Sequence, residues 1–372
     1  MRIAVIGPSR NPVAAPYAGG QERFTAILAG GLQARGHRVE LWARAGTDRL
    51  LAERVHVMPD RPDLSAVASQ DPNLPEPGFL DDQVAYLAVM RDLLGRNDID
   101  IVLNQSLHQL PLAFAPVLPV PVVTTLHTPP FPWMEIGAWL AGPEAHMVAV
   151  SAALRAQWET LARVEVIPNG ADSQAFPAGP GGDSLAWAGR LTSEKGADIA
   201  IAAARAAGLP LQLAGPVADP RWFAEVIRPM LGGQVEYLGL LDDSELAQMY
   251  GASLATLVTP CWEEPFCLVA AESQMCGTPV VGVRRGGLAE VVSGPGGVLV
   301  DPGAGVVDRL ATAITSMGAV DRRAVAESAR KRLDCARTVD SYEQLLSAAI
   351  GSNTVEVSAM RYTEASVGGP DG

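Results

Sequence analysis

The sequence predicts an α/β protein of two doubly wound, parallel-sheet domains facing each other across a cleft. Three observations predict it. Short apolar runs alternate with amphipathic helical stretches along nearly the whole chain, the pattern of a parallel sheet covered by helices on both faces. The alternation breaks once, in a stretch rich in proline and glycine, and then restarts. The chain has 372 residues, room for two or three domains at roughly 150 residues each.

Elements follow in order. Residues 3–7 read as a buried strand. Residues 21–35 read as a helix with Phe24, Ile27, Leu28 and Leu32 on one side, and Gly36 stands where a helix stop belongs. Residues 38–43, 99–103, 122–126, 147–150 and 164–167 read as further strands. The break at 169–183 holds Pro177, Gly179, Pro180, Gly181 and Gly182 and reads as a linker. The second unit gives strands at 185–187, 211–213, 235–238, 254–258 and 279–283, with helices at 197–207, 221–231, 244–250 and 266–275. Helices at 306–316, 322–332 and 339–349 follow, and the Gly-, Ser- and Thr-rich end from 351 reads as a disordered tail. The domains are therefore 1–168 and 184–338.

Composition narrows the function. With 48% hydrophobic and 19% charged residues, a large core is available and disorder is not the default. The net charge of −13 speaks against duplex nucleic acid or an anionic membrane as partner, although a local basic patch could still hold phosphate. Arg2 follows Met1 and the first apolar run is short, so no secretory signal is read. The longest uncharged stretch, 110–126, carries Pro111, Pro116, Pro119 and Pro121, which argues against a spanning helix. Cys261, Cys267, Cys276 and Cys335 fit no common zinc spacing and read as thiols buried as small hydrophobes in a reducing cytosol.

In open α/β sheets, ligands bind outside the carboxyl ends of the strands. The first strand runs into Gly7-Pro8-Ser9-Arg10, which is neither a dinucleotide fingerprint nor a P-loop. Gly19-Gly20 precedes a helix and either brings backbone close to an anion or serves a loop that needs positive φ. Arg190 and Lys195 share one strand-to-helix loop, where two cations could neutralise a diphosphate or simply be solvated. In 260–272 a loop carries Glu264, and a helix predicted to begin near Pro265 would aim the amides of Cys267, Leu268 and Val269 into the cleft. Glu272, two turns along that predicted helix, could accept hydrogen bonds from a ribose diol, and Glu264 from sugar hydroxyls. The alternative for Glu272 is a solvated helix residue, but its apolar neighbours make a lone charge costly.

These segments resemble the retaining GT-B glycosyltransferases of family 4. The resemblance rests on Gly189-Arg190 with Lys195-Gly196, Leu213-Ala214-Gly215, Tyr237-Leu238-Gly239, the Glu264 and Glu272 pair, 276–280, 286–290 and 300–302. Weaker matches in the first domain are Gly19-Gly20 with Glu22, Gly36-His37, His127 after a strand, Val150-Ser151 and 168–172. It implies that Arg190 and Lys195 hold a donor diphosphate, Glu272 the ribose and Glu264 the transferred sugar. It implies that amides near Leu268 and Val269 complete the phosphate site, that Gly20 closes over it, and that His127 touches the sugar near the reacting carbon. It also implies that Phe266 belongs to the donor motif, that the base lies near Leu240 and Leu241, with UDP the commonest nucleotide, and that helix 339–350 returns to the first domain. Cys267 departs from the family, which often has glycine there. Catalytic roles thus fall on His127 and Glu264. Asp98 and Asp100 have the spelling of a metal site but lead into a strand, at the wrong edge, so no metal is expected. His108 reads as structural. The expectation is a cytoplasmic, metal-independent sugar transferase using a nucleotide-sugar donor and an unidentified acceptor, without an integral membrane segment; peripheral membrane contact stays open. The alternatives are a nucleotide-sugar epimerase of the same fold and a non-catalytic nucleotide-sugar-binding module.

Overall fold

A computed structural model describes residues 1–143, 145–161 and 163–365. The first lobe holds a sheet of β1 (Arg2–Ile6), β2 (Arg38–Ala43), β3 (Arg54–Val57), β4 (Ile101–Asn104), β5 (Val122–Leu126), β6 (His146–Ala149) and β7 (Val164–Val166). Its order is β3-β2-β1-β4-β5-β6-β7, parallel throughout. The second lobe holds β8 (Ser184–Ala188), β9 (Leu211–Ala214), β10 (Val235–Tyr237), β11 (Ser253–Val258), β12 (Val280–Val283) and β13 (Gly297–Val300). Their order is β10-β9-β8-β11-β12-β13, again all parallel. Both sheets are Rossmann-like, with strand order reversing beside β1 in one and beside β8 in the other.

The helices are α1 (Gly20–Ala34), α2 (Pro77–Leu94), α3 (Gln109–Phe114), α4 (Pro132–Ala141) and α5 (Ala152–Trp158) in the first lobe. In the second they are α6 (Ala197–Ala207), α7 (Pro220–Trp222), α8 (Asp243–Gly251), α9 (Leu268–Met275), α10 (Leu288–Val291), α11 (Val306–Thr315) and α12 (Arg322–Leu333), followed by α13 (Cys335–Ala365). Burial explains the strands. Ile3 and Val5 on one face of β1 pack with Phe24, Leu28 and Leu32, while Ala4 and Ile6 on the other pack with Trp42, Tyr86 and Met90. A strand apolar on both faces is stable only between two helical layers. In the second lobe Leu185 and Trp187 of β8 pack with Ile201, and Ala186 belongs to a fourth cluster with Tyr250 and Met275. α13 returns to the first lobe through Val339, Tyr342, Leu346 and Ala349.

Several expectations need correction. The helix read at 266–275 starts at Leu268, because Cys267 takes φ +84° and cannot continue a helix backwards. The helix read at 221–231 is α7, a π-helical turn Phe223–Ile227 and a 3₁₀ turn Arg228–Met230. Pro229, lacking an N–H, denies that segment a regular ladder. α13 starts at Cys335 and runs past 351 to Ala365, where a disordered tail was expected. No proline separates Pro302 from Pro370, so nothing stops the helix outright. Residues 366–372 of the expected tail lie outside the described residues. No described helix is long and apolar enough to cross a membrane.

Candidate active site

β8 and β11 are neighbours at the point where strand order reverses, so the loops that follow them meet. Thr259 Oγ1 donates to the Gly196 carbonyl at 2.7 Å, and the Cys261 amide to the Glu194 carbonyl at 2.8 Å. Gly196 has φ +66°, and a Cβ there would collide with the Thr259 carbonyl oxygen. Only glycine allows this seam. It brings Lys195 to Glu264: Nζ donates to both carboxylate oxygens, at 2.9 and 2.8 Å. Trp262 Nε1 donates to Glu264 Oε2 at 2.7 Å, and Lys195 Nζ lies 4.8 Å from the Trp262 ring centre. Trp262 is not among the residues expected from the sequence; an aromatic two positions before the loop carboxylate is the signal that points to it. Arg190, in the same loop, is exposed, and among the described residues its guanidinium pairs with Glu194, at 3.4 Å.

α9 begins with Cys267 as its N-cap, without a side-chain cap. The amides of Leu268 and Val269 are first-turn amides, which have no intrahelical acceptor. Burial pushes the Cys267 thiol pKa up, so it stays protonated. Phe266 is buried and anchors the turn. Glu272 lies one turn into α9, not two, and is 3% exposed. Burial pushes its carboxyl pKa up, and the guanidinium of Arg23, 3.2 Å away on α1 of the other lobe, opposes that shift. Tyr250 OH donates to it at 3.5 Å.

His127 follows β5. Its Nε2 is 2.9 Å from Gln105 Oε1, while Gln105 Nε2 donates to Thr125 Oγ1 at 2.8 Å. The Gln105 oxygen can only accept, so His127 carries its proton on Nε2. Desolvation lowers its pKa to about 4, which makes the ring neutral. The Tyr342 hydroxyl of α13 is 2.8 Å from Thr125 Oγ1. His108, read as structural, does cap α3 by accepting from the Leu110 amide, and it stacks on Tyr86. It also lines the cleft. Asp98 is held by Arg96 and Arg2, and Asp100 accepts from the Arg2 amide, all at the amino edge of the first sheet.

One cavity of about 590 Å³ joins these groups. Gly20, His127 and Arg23 border it from the first lobe; Lys195, Leu241 and Glu272 border it from the second. A Cβ on Gly20 would be 3.5 Å from Leu268 Cδ1, so the α1 start faces the α9 start. The cavity thus offers cations, free helix amides and two carboxylates in one cleft.

The family model Glycosyltransferase Family 4 matches residues 18–175, and Glycosyl transferases group 1 matches residues 173–332. The chain is a family 4 glycosyltransferase. This glycosyltransferase is 29% identical to a glycogen synthase of Mycobacterium tuberculosis over 90% of each chain. It is 34% identical to a D-inositol 3-phosphate glycosyltransferase of Nocardiopsis dassonvillei, over 37% of its own length and 38% of that relative's. Its GT-B fold is shared with AviGT4, a glycosyltransferase of avilamycin A biosynthesis, at a TM-score of 0.68 and 23% identity over 94% of this chain and 98% of that one. It is also shared with Anabaena HepE in complex with UDP-glucose, at a TM-score of 0.72 and 19% identity over 94% and 100%.

Proposed function

We propose that this glycosyltransferase moves a sugar from a nucleoside-diphosphate sugar, with UDP as the nucleotide, to an acceptor bound by the first lobe, retaining the anomeric configuration and needing no metal. The observation that carries this is the meeting of Lys195, Glu264 and the α9 start at the strand-order reversal, with Glu272 in the same cavity. The solved complex of HepE with UDP-glucose, on the same fold, supports the choice of donor.

Breaking the sugar–phosphate bond puts charge on the departing diphosphate. Lys195, Arg190 and the Leu268 and Val269 amides would stabilise that charge as preorganised donors. Lys195 and Glu264 neutralise each other in their ion pair. An arriving diphosphate competes for the ammonium and leaves Glu264 to accept from sugar hydroxyls. His127, neutral and pinned by Gln105, can hydrogen-bond the sugar but not act as an acid near pH 7. Among the described residues the Glu264 carboxylate is hydrogen-bonded by Lys195 and Trp262 and by no second carboxyl group, which favours a front-face step in which the departing phosphate takes the acceptor's proton. Of the thiols expected to be buried, Cys276 is, Cys267 and Cys335 are half-buried, and Cys261 is exposed because it lies on the loop after β11; all four are unpaired, which suits a reducing cytoplasm.

The test is to incubate the protein with UDP-, GDP- and ADP-sugars, with and without glucan, inositol phosphate and simple glycosides, and to measure released nucleotide. Acceptor-dependent release with a UDP-sugar, unchanged by chelator, and an axial product from an axial donor by NMR are expected. Binding without any turnover across the acceptor panel would overturn it, and so would restoration of chelator-treated enzyme by a divalent ion. Lys195→Ala should lower kcat/KM by about 10²- to 10³-fold, and unchanged turnover would remove the ammonium from the site.

A further inference from the structure

We infer that Arg23, a residue of the first lobe, is the positioning residue for ribose recognition in the second: it holds Glu272 as a carboxylate facing the cleft, and does so only while the lobes are together. The inference rests on Glu272 being the ribose acceptor.

Glu272 is a buried carboxylate on an apolar helix. Ala270, Ala271 and Met275 around it are wholly buried, and an unpaired charge there is costly. Among the described residues its ion-pair partner is Arg23, at 3.2 Å. Arg23 does not come from the second lobe; it rides on α1, one turn from Gly19-Gly20. It is held firmly. Its other arm donates to Asp243 Oδ1 at 2.7 Å, and the guanidinium lies 5.1 Å from the Tyr17 ring centre and 5.5 Å from that of Phe176. Its side chain is 11% exposed. Asp243 opens α8 and Phe176 lies in the linker, so one guanidinium joins α1, the linker, α8 and α9.

The ionisable groups facing Glu272 are Arg23 from α1, Asp243 and Tyr250 from α8, and the Cys267 and Cys276 thiols at the two ends of its own helix. Arg23 alone among them favours the carboxylate by charge. The carboxylate keeps room for substrate. A carboxylate has about four acceptor positions; one oxygen takes Arg23 and the other a long bond from Tyr250. Two vicinal hydroxyls can use the remainder. When the lobes part, α1 takes Arg23 away, and the carboxylate loses the ion pair that fixes its orientation toward the cleft. By linkage, ribose binding then favours closure to the same extent that closure favours ribose binding.

The experiment measures binding of UDP and 2′-deoxy-UDP to the full chain from pH 5.5 to 9, for wild type, Arg23→Gln, Arg23→Lys and Glu272→Gln, each checked for folding by circular dichroism. Wild type should prefer UDP over the deoxy form at every pH. Arg23→Gln should bind UDP about tenfold more weakly near pH 6, recover toward pH 9 as Glu272 ionises, and lose most of its preference for UDP at low pH. Arg23→Lys, which keeps a cation, should sit between the two and decides the matter if the glutamine variant does not fold. Glu272→Gln should lose the preference at all pH values. If Glu272→Gln loses it while both Arg23 variants keep wild-type affinity and a flat pH profile, the role given to Arg23 is wrong. If Glu272→Gln keeps the preference, the ribose assignment fails instead.

Discussion

Cys267 occupies a backbone position that suits glycine, the residue the family resemblance led one to expect there. Its φ of +84° is the left-handed region, which costs an L-residue roughly 1–2 kcal/mol. Cys267→Gly removes that strain at the expense of a small, partly buried side chain and a freer unfolded chain, so its stability should stay within about 1 kcal/mol of wild type. Cys267→Val puts a β-branched residue there and should cost about 2 kcal/mol or more. Urea melts of both variants check this, and equal midpoints would show that the strain is absent. The two cleft histidines make a second residue-scale prediction. His127 and His108 are each lowered to about 4, chiefly by desolvation, from an ordinary value of 6.5. The folded state therefore binds their protons less readily than the unfolded chain. The stability they leave intact is fully present above pH 6.5 and is lost as pH falls toward 4, by at most roughly 3 kcal/mol each. Denaturation midpoints from pH 7 to 4 should fall, and more gently in His108→Asn, whose amide keeps a cap for α3. An unchanged slope would contradict the burial of that ring.

The α1–α13 pair makes the prediction at the scale of elements. A Cβ on Gly31 would lie 2.7 Å from Val339 Cγ2, so the two helices pack as closely as they do because that side chain is missing. Gly31→Val should force them apart and destabilise the first lobe by about 1–3 kcal/mol, and Val339→Ala should recover part of the loss in a thermal melt. A melt unchanged by Gly31→Val would mean that the contact yields freely. The same scale shows what the sequence could tell. The strands were readable because a parallel strand covered on both faces is a short apolar run, as 122–126 is, or keeps an apolar alternation, as 38–43 does through Val39, Leu41 and Ala43; both have the observed bounds of β5 and β2. β3 escaped because Arg54 and His56 interrupt it at the sheet edge, where one side needs no apolar partner. The start of α9 falls two residues after the expected 266 because Pro265 is a favoured first helical residue, and no local rule foretells a cysteine at positive φ. Lys195, Glu264 and Glu272 could be picked out by their loops and apolar surroundings. Arg23 could not, since its place beside Glu272 depends on how two lobes meet, and a helical arginine on α1 looks like any solvated one.

The two lobes also meet away from the cleft, and that contact governs the molecule as a whole. Glu290 of α10 accepts from the Ala152 and Ala153 amides, at 2.9 and 2.8 Å, and so caps α5 of the opposite lobe beside that helix's own cap, Ser151. The core cluster there runs across the lobes, from Leu154 and Trp158 to Leu288 and Val291. The chain crosses between lobes twice, at Ala171 and at Cys335, and those two crossings are hydrogen-bonded to each other. A pair of adjacent crossings acts as a hinge that absorbs rotation in few residues. Opening about it must break the Glu290 cap as well as the Arg23 pairs. The cap is exposed, so its loss is worth about 1 kcal/mol, or about fivefold in the ratio of closed to open molecules. Glu290→Ala should therefore raise the radius of gyration measured by X-ray scattering without nucleotide, and saturating UDP should restore the wild-type value. Its UDP affinity should fall by no more than the same fivefold, because only the closed fraction binds. The preference for UDP over 2′-deoxy-UDP should be retained, since Arg23 and Glu272 still meet whenever the lobes close. Identical scattering and affinity in wild type and variant would mean that closure rests on the apolar contact alone; a lost ribose preference would mean that Glu290 acts on the site and not on the hinge.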